Sequence, residues 1–148
     1  MQYAYSTGGK NVMTKRRESA VWLYVVNLSL LATHEIDSAY WHEWEMFHLP
    51  GGIQLFLVAN LLLLVLLTYG LTRIVGWERG AQAFSFVVAG AGLCAFAIHA
   101  AFMVAGRDEF RSPVSLTLLV CILLVSVSQM ALIAPRAGSA GHGMIRGD

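Results

Sequence analysis

The amino-acid sequence predicts an all-α fold: an integral membrane four-helix bundle of up-down-up-down topology with both termini in the cytoplasm. Three observations carry that expectation. The 148 residues are 57% hydrophobic and only 13% charged, with a mean hydropathy of +0.61, an apolar excess that soluble domains rarely show. Apolar runs of about 20 residues recur along the chain, the length a helix needs to cross roughly 30 Å of hydrocarbon while satisfying its own backbone hydrogen bonds. The connections between these runs are short, which makes neighbouring helices antiparallel.

Residues 1–19 are polar and basic and lack a small-residue cleavage site behind a short apolar core. They read as a mobile cytoplasmic tail, and the helix that follows reads as a retained anchor. The first span is placed at 20–44. Only Ala20 to Thr33 is apolar there, so a full crossing takes in part of the polar stretch that runs from His34 to His48. The second span, 52–71, is the uncharged GIQLFLVANLLLLVLLTYGL behind the start signal Pro50-Gly51. The third, 81–106, carries one histidine and no charge, and its small residues Ala91, Gly92 and Ala95 permit close approach on an inward face. The fourth, 113–134, opens on Pro113 and closes before Pro135, and residues 135–148 form a flexible Gly/Ala/Ser-containing tail.

Charge distribution sets the orientation. Lys10, Lys15, Arg16 and Arg17 precede the first span, Arg73 and Arg79 lie in the second connection, and Arg136 and Arg146 follow the last span. The opposite side holds Arg107 and Arg111, with Asp108 and Glu109 between them. By the positive-inside rule both termini are cytoplasmic, and the acidic, histidine-rich end of the first helix faces outward. A formal net charge of +1 excludes a nucleic-acid footprint. Cys94 and Cys121 both lie in apolar runs and supply neither a disulfide framework nor a thiolate site.

Continued as one helix, the first span places His34, Asp37, Ser38, Trp41, Glu45 and His48 on one stripe, with Glu35 and His42 at its margin and Glu43 among apolar residues on the other side. His34 lies roughly 21 Å beyond Ala20 at ~1.5 Å per residue, in the outer leaflet. His99, rising from the cytoplasmic side on the third helix, reaches the same level. Gln54, Ser115 and Thr117 also come within reach of a polar pocket there. Each ionisable group in a span costs about 2.5 to 3.5 kcal/mol on insertion scales, so such a group is expected to pair, bind an ion or line water. Three uses follow. His34, Asp37 and Glu45 can act as acid and base, with Glu35, Trp41, His42, His99 and Gln54 holding the ligand. If a metal is bound instead, His34, Asp37, Glu45 and His48 are the expected ligands, from two i, i+3 pairs. Alternatively the polar residues only satisfy one another and fix packing; Glu43, Glu45 and His48 then read as the wet end of a helix leaving the membrane.

The stretch HEIDSAYWHEWEMFHLPGG, His34 to Gly52, resembles the signature of an uncharacterised group of small bacterial four-helix membrane proteins, over about the first half of the chain. The layout more loosely resembles the HXXEE family and the EXPERA family of sterol isomerases and ligand-binding membrane proteins. The latter likeness implies His34 as the proton-handling base, Asp37 or Glu45 as its acidic partner, and Trp41 as a cavity wall able to stabilise positive charge. It implies a lipid-like small molecule as the ligand, and the bacterial likeness implies the inner membrane.

The function expected is therefore a small polytopic protein of the cell membrane whose outer-leaflet His/carboxylate cavity binds a lipid-like or other small ligand, with acid–base isomerisation or cyclisation as its chemistry. A non-catalytic subunit docked by the aromatic face of its first helix on a larger membrane complex is the alternative, and a metal-binding membrane protein the third. Membrane lipid is the partner common to all three, and the sequence identifies no cofactor.

Overall fold

A computed structural model of the chain describes residues 7–106 and 112–134. These residues form four long helices and one short one: α1 (Thr7–Tyr40), α2 (Glu43–Met46), α3 (Ile53–Val75), α4 (Ala81–Val104) and α5 (Pro113–Ile133). The long helices make the expected up-down-up-down bundle. Arg16 near the start of α1 meets Leu132 near the end of α5, Ser85 near the start of α4 meets Gln129 of α5, and the rings of His34 and His99 touch near the ends of α1 and α4. Thus α1 and α4 run parallel across the bundle, and α3 and α5 run against them. α3, α4 and α5 are each long and apolar enough to cross a membrane, and their bounds lie within a few residues of those expected. The connection holding Arg107, Asp108, Glu109 and Arg111, the C-terminal residues 135–148 and the first six residues lie outside the described part.

The bundle is apolar outside, and its polar groups are gathered inside among an apolar core. Trp22, Ile36 and Tyr40 of α1, Leu57, Leu61, Leu62 and Val65 of α3, and Val120, Leu124 and Val127 of α5 are exposed, whereas Asn27, His34, Ser38, Ser85, His99, Ser126 and Gln129 are buried. Exposed hydroxyls return to their own helices: Ser29 donates to Val25 O, Thr33 to Ser29 O, Thr117 to Pro113 O and Ser128 to Leu124 O, so these groups need no water. This distribution suits lipid as the surrounding solvent.

Inside, one hydrogen-bonded chain joins three helices. Asn27 Nδ2 donates to Ser126 Oγ at 3.1 Å and to Gln129 Oε1 at 2.9 Å, and Gln129 Nε2 donates to Ser85 Oγ at 2.8 Å and Ser85 O at 3.1 Å. Gly92 lets α4 come close enough for this, because a Cβ there would collide with Ser126 Oγ and crowd Asn27 Oδ1. On the other side Tyr24 donates to Leu67 O at 2.7 Å, across the gap that Gly70 leaves open.

Two expectations are corrected here. Helix α1 starts at Thr7, so residues 7–19, expected as a mobile tail, are its first turns. Arg16 anchors this segment by donating from Nε and Nη2 to Leu132 O at 3.0 and 2.6 Å, and Arg17 stacks over Trp77 at 5.1 Å from the ring centroid. The second correction is at the other end. The first span does not run on to residue 44 as one helix: α1 stops at Tyr40, and His42 takes the left-handed conformation, φ 55°, ψ 45°. The short α2 then closes in a Schellman turn, with Leu49 N–H donating to Trp44 O, His48 N–H to Glu45 O, and His48 itself left-handed at φ 52°. The ring of Trp44 against Phe56 of α3, and that of Phe47 against Phe102 of α4, hold this reversal over the bundle end.

Truncating the buried chain should loosen the bundle. Asn27→Leu is expected to lower stability by about 1–2 kcal/mol, and Gly92→Val by more, because it also forces α4 away from α5; reversible unfolding in mixed detergent micelles reads both. His42→Gly removes the left-handed cost of a residue with a Cβ while adding chain entropy to the unfolded state, and should raise stability by about 0.5 kcal/mol in the same assay.

Candidate functional site

The reversal after Tyr40 brings Glu43 into the bundle. His34 from α1, Glu43 from α2 and His99 from α4 are 3%, 6% and 1% exposed, and one ligand-capable atom from each lies within 4.8 Å of the other two. The imidazoles of His34 and His99 meet edge to face, centroids 4.6 Å apart and planes at 77°. Glu43 Oε1 lies 3.6 Å from His99 Nε2.

Each side chain is placed by local structure. His99 Nδ1 sits 2.8 Å from Ala95 O, one turn back on α4. That carbonyl can only accept, so Nδ1 carries the proton and Nε2 is the nitrogen presented to Glu43. His34 lies seven residues beyond Asn27, and His99 seven beyond Gly92; the contact between Asn27 and the α4–α5 pair thus carries the two imidazoles to one level. Glu43 is aimed by the left-handed turn at His42 and by its neighbour Trp44, which is wedged against Phe56.

Polar atoms without hydrogen-bond partners among the described residues cluster on the same face of α1. His34 Nδ1, Ser38 Oγ and Trp41 Nε1 are all buried in this way, at positions i, i+4 and i+7 of one helical stripe. Leaving such groups dry costs on the order of 1–3 kcal/mol each. Of these, His34 belongs to the buried trio, and Ser38 and Trp41 continue its stripe toward the end of α1, a face suited to a ligand or ion.

The remaining expected residues are distributed differently. Asp37 is half-buried and lies outside the converging trio. Glu35 is half-buried and hydrogen-bonded to Asn60 of α3. Trp41 lines the margin of the cluster, whereas His42 is exposed with its ring against Trp44, 5.0 Å between centroids. Glu45, His48 and Gln54 are exposed and do not enter the cluster. The expected ligand set of His34, Asp37, Glu45 and His48 is therefore not assembled, because the chain breaks at His42 and the i, i+3 pair Glu45/His48 leaves the stripe of His34. Ser115 is buried but accounted for by Ser112, its helix cap, whose Oγ lies 2.7 Å away, and Thr117 is exposed. Glu43 is the residue that sequence reasoning missed. An unbroken helix places it opposite His34, and the enrichment of histidine among left-handed residues is too weak to mark His42 as the break.

Two imidazoles and one carboxylate form a donor set for borderline divalent ions such as Zn²⁺, Fe²⁺ or Mn²⁺. Bond lengths of about 2.0–2.2 Å imply ligand separations of roughly 3–4 Å, so Glu43 and His99 already stand at the required distance and the rest of the trio needs only small side-chain adjustments. Three protein ligands leave at least one coordination position open. Without a metal, the same groups can hold or pass a proton.

No curated protein and no solved structure matches the chain. A family model does match over residues 20–136, from the apolar part of α1 through the end of α5, and all three residues of the buried trio fall within it. The chain belongs to DUF6713, a family of unknown function.

Proposed function

We propose that this protein is a multi-pass protein of the cell membrane, with both termini cytoplasmic, that binds a divalent first-row transition-metal ion through His34, Glu43 and His99 near the outer surface. The observation that carries this reading is the convergence of one carboxylate and two imidazoles, all buried and drawn from three separate helices. With Nδ1 of His99 committed to Ala95 O, its Nε2 lone pair and the Glu43 carboxylate face each other at 3.6 Å. Two electron-rich atoms at that distance in a poorly solvated place are favourable only with a cation or a proton between them. The bond to Ala95 O is also the kind of second contact that orients a metal-bound histidine. The open position would be faced by Ser38 and Trp41, whose buried Oγ and Nε1 can donate to an oxygen-bearing ligand on the metal.

Those same two donors support a second reading, in which the cavity binds a lipid-like molecule without metal and His34 and Glu43 serve as its base and acid.

Elemental analysis of full-length protein made without a histidine tag and reconstituted in nanodiscs tests the first reading. About one equivalent of metal is expected, with visible ligand-field bands on loading with Co²⁺. His34→Ala, Glu43→Gln and His99→Ala should each weaken binding by about tenfold or more. Glu45→Gln, His48→Ala and His42→Gly should leave affinity within about twofold, since those side chains are exposed. Binding should weaken as the pH is lowered, because metal and proton compete for the imidazole nitrogens. Under 0.1 equivalent of metal at neutral pH, together with an organic adduct in native mass spectrometry that His34→Ala removes, would replace this reading by the acid–base one.

A further inference from the structure

At the opposite end of the bundle a cleft of about 250 Å³ opens between the N-terminal part of α1, the connection that follows α3, the start of α4 and the end of α5. It is lined by Arg16, Arg17, Trp77 and Gln82, with the buried Ala20 and Ile133 as its apolar floor. We infer that this cleft binds the phosphate of an anionic membrane lipid. The site is independent of the His34–Glu43–His99 cluster and of what that cluster binds.

Charge and geometry both favour an anion. Among the described residues the lining includes two guanidinium groups and no carboxylate. The nearest acid on the following connection, Glu78, is engaged by Arg73 at 2.7 Å. Arg16 is held rigidly through Nε and Nη2 on the last carbonyls of α5, Leu132 O and Ala134 O, while its Nη1 makes no hydrogen bond among the described residues. Arg17 is held over Trp77 at 5.1 Å from the ring centroid. Two held guanidiniums lining one cleft together with Gln82 form a recognition surface for phosphate oxygens without much further loss of side-chain freedom.

Depth identifies the source of the phosphate. Arg16 precedes His34 by 18 residues of continuous helix, roughly 27 Å at ~1.5 Å per residue, close to the hydrocarbon thickness of a bilayer. With the His34 end near one surface, Arg16 and Arg17 stand at the headgroup level of the other. There the apolar floor can continue into the acyl region, and Trp77 sits where interfacial aromatics are found. At ~30 Å³ per water the cleft has room for roughly eight waters, enough for a phosphodiester but not for a whole lipid. The chains would therefore lie outside, along the exposed apolar faces of the helices.

Native mass spectrometry of the full-length protein, released from nanodiscs of phosphatidylcholine with one fifth phosphatidylglycerol, tests this. The ratio of phosphatidylglycerol to phosphatidylcholine among retained lipids should exceed the bulk ratio by about fivefold, the factor expected of one arginine near an anionic surface. Arg17→Gln, which leaves the α5 anchor at Arg16 intact, should abolish most of the enrichment. Arg79→Gln removes the same charge from an exposed position outside the cleft and should not. Absence of enrichment, or equal loss in both variants, overturns the proposal in favour of diffuse surface charge. Displacement of the lipid by 10 mM inorganic phosphate overturns it in favour of a site for soluble phosphate.

Discussion

Every functional distance in this molecule depends on the buried contact between Asn27, Ser126, Gln129 and Ser85. In water, helices of a bundle are driven together by apolar faces. Here the apolar faces point outward, and lipid tails solvate leucine as well as a neighbouring helix does. What remains to hold α1, α4 and α5 in one register is close packing at small residues and a few internal hydrogen bonds. The Asn27 amide supplies the latter, and the missing side chain of Gly92 the former. Because α1 and α4 run parallel, that contact fixes the axial offset along their whole length. Two turns further on, the same offset sets His34 against His99. A slip of one residue would rotate either imidazole by about 100° and take it out of the cluster.

Much of this was legible in the sequence. The three uncharged helices announce themselves through hydropathy and through the prolines and glycines that flank them, and their bounds shift by only a few residues. The meeting of His34 and His99 follows from rise per residue and orientation alone. The terminal segments of α1 were legible less well, for opposite reasons. At its start, polar residues read as a tail because hydropathy says nothing about tertiary anchors such as Arg16 on Leu132 O. At its end, the charged residues were read on an unbroken helical wheel, and a wheel carries no information about where the helix stops. The left-handed conformation at His42 and His48 is set by what surrounds them, the wedging of Trp44 on Phe56 and of Phe47 on Phe102, and not by the local preference of histidine.

That break changes the chemistry more than the fold. On a continuous helix, four ionisable groups at most would share one stripe, and all would approach a ligand from one side. With α2 folded back, the carboxylate arrives from a different direction than the imidazoles. Donors from three elements can surround a point; donors from one stripe can only line a wall. This is why the geometry favours a metal over the acid–base constellation read from the stripe. The exclusion of Glu45 and His48 follows from the same turn that includes Glu43. His42 and His48 serve here as the left-handed corners of the chain, and both are exposed outside the His34–Glu43–His99 cluster.

The polarity of α1 becomes intelligible in the same terms. It carries more polar groups than the other long helices, yet it packs against all of α3, α4 and α5. Its inward face is covered by protein along the length of the bundle. Asn27 and Glu35 find amide partners on α5 and α3, while Trp22, Ile36 and Tyr40 face outward. A helix so placed need not be apolar enough to cross alone, because its neighbours provide the low-polarity surface and it provides the chemistry. His34 Nδ1, Ser38 Oγ and Trp41 Nε1 are then the atoms of that inward stripe without hydrogen-bond partners among the described residues. In a helix whose other buried polar groups are so thoroughly accounted for, that residue of unmet hydrogen bonding is the strongest physical argument that something other than this chain completes the site.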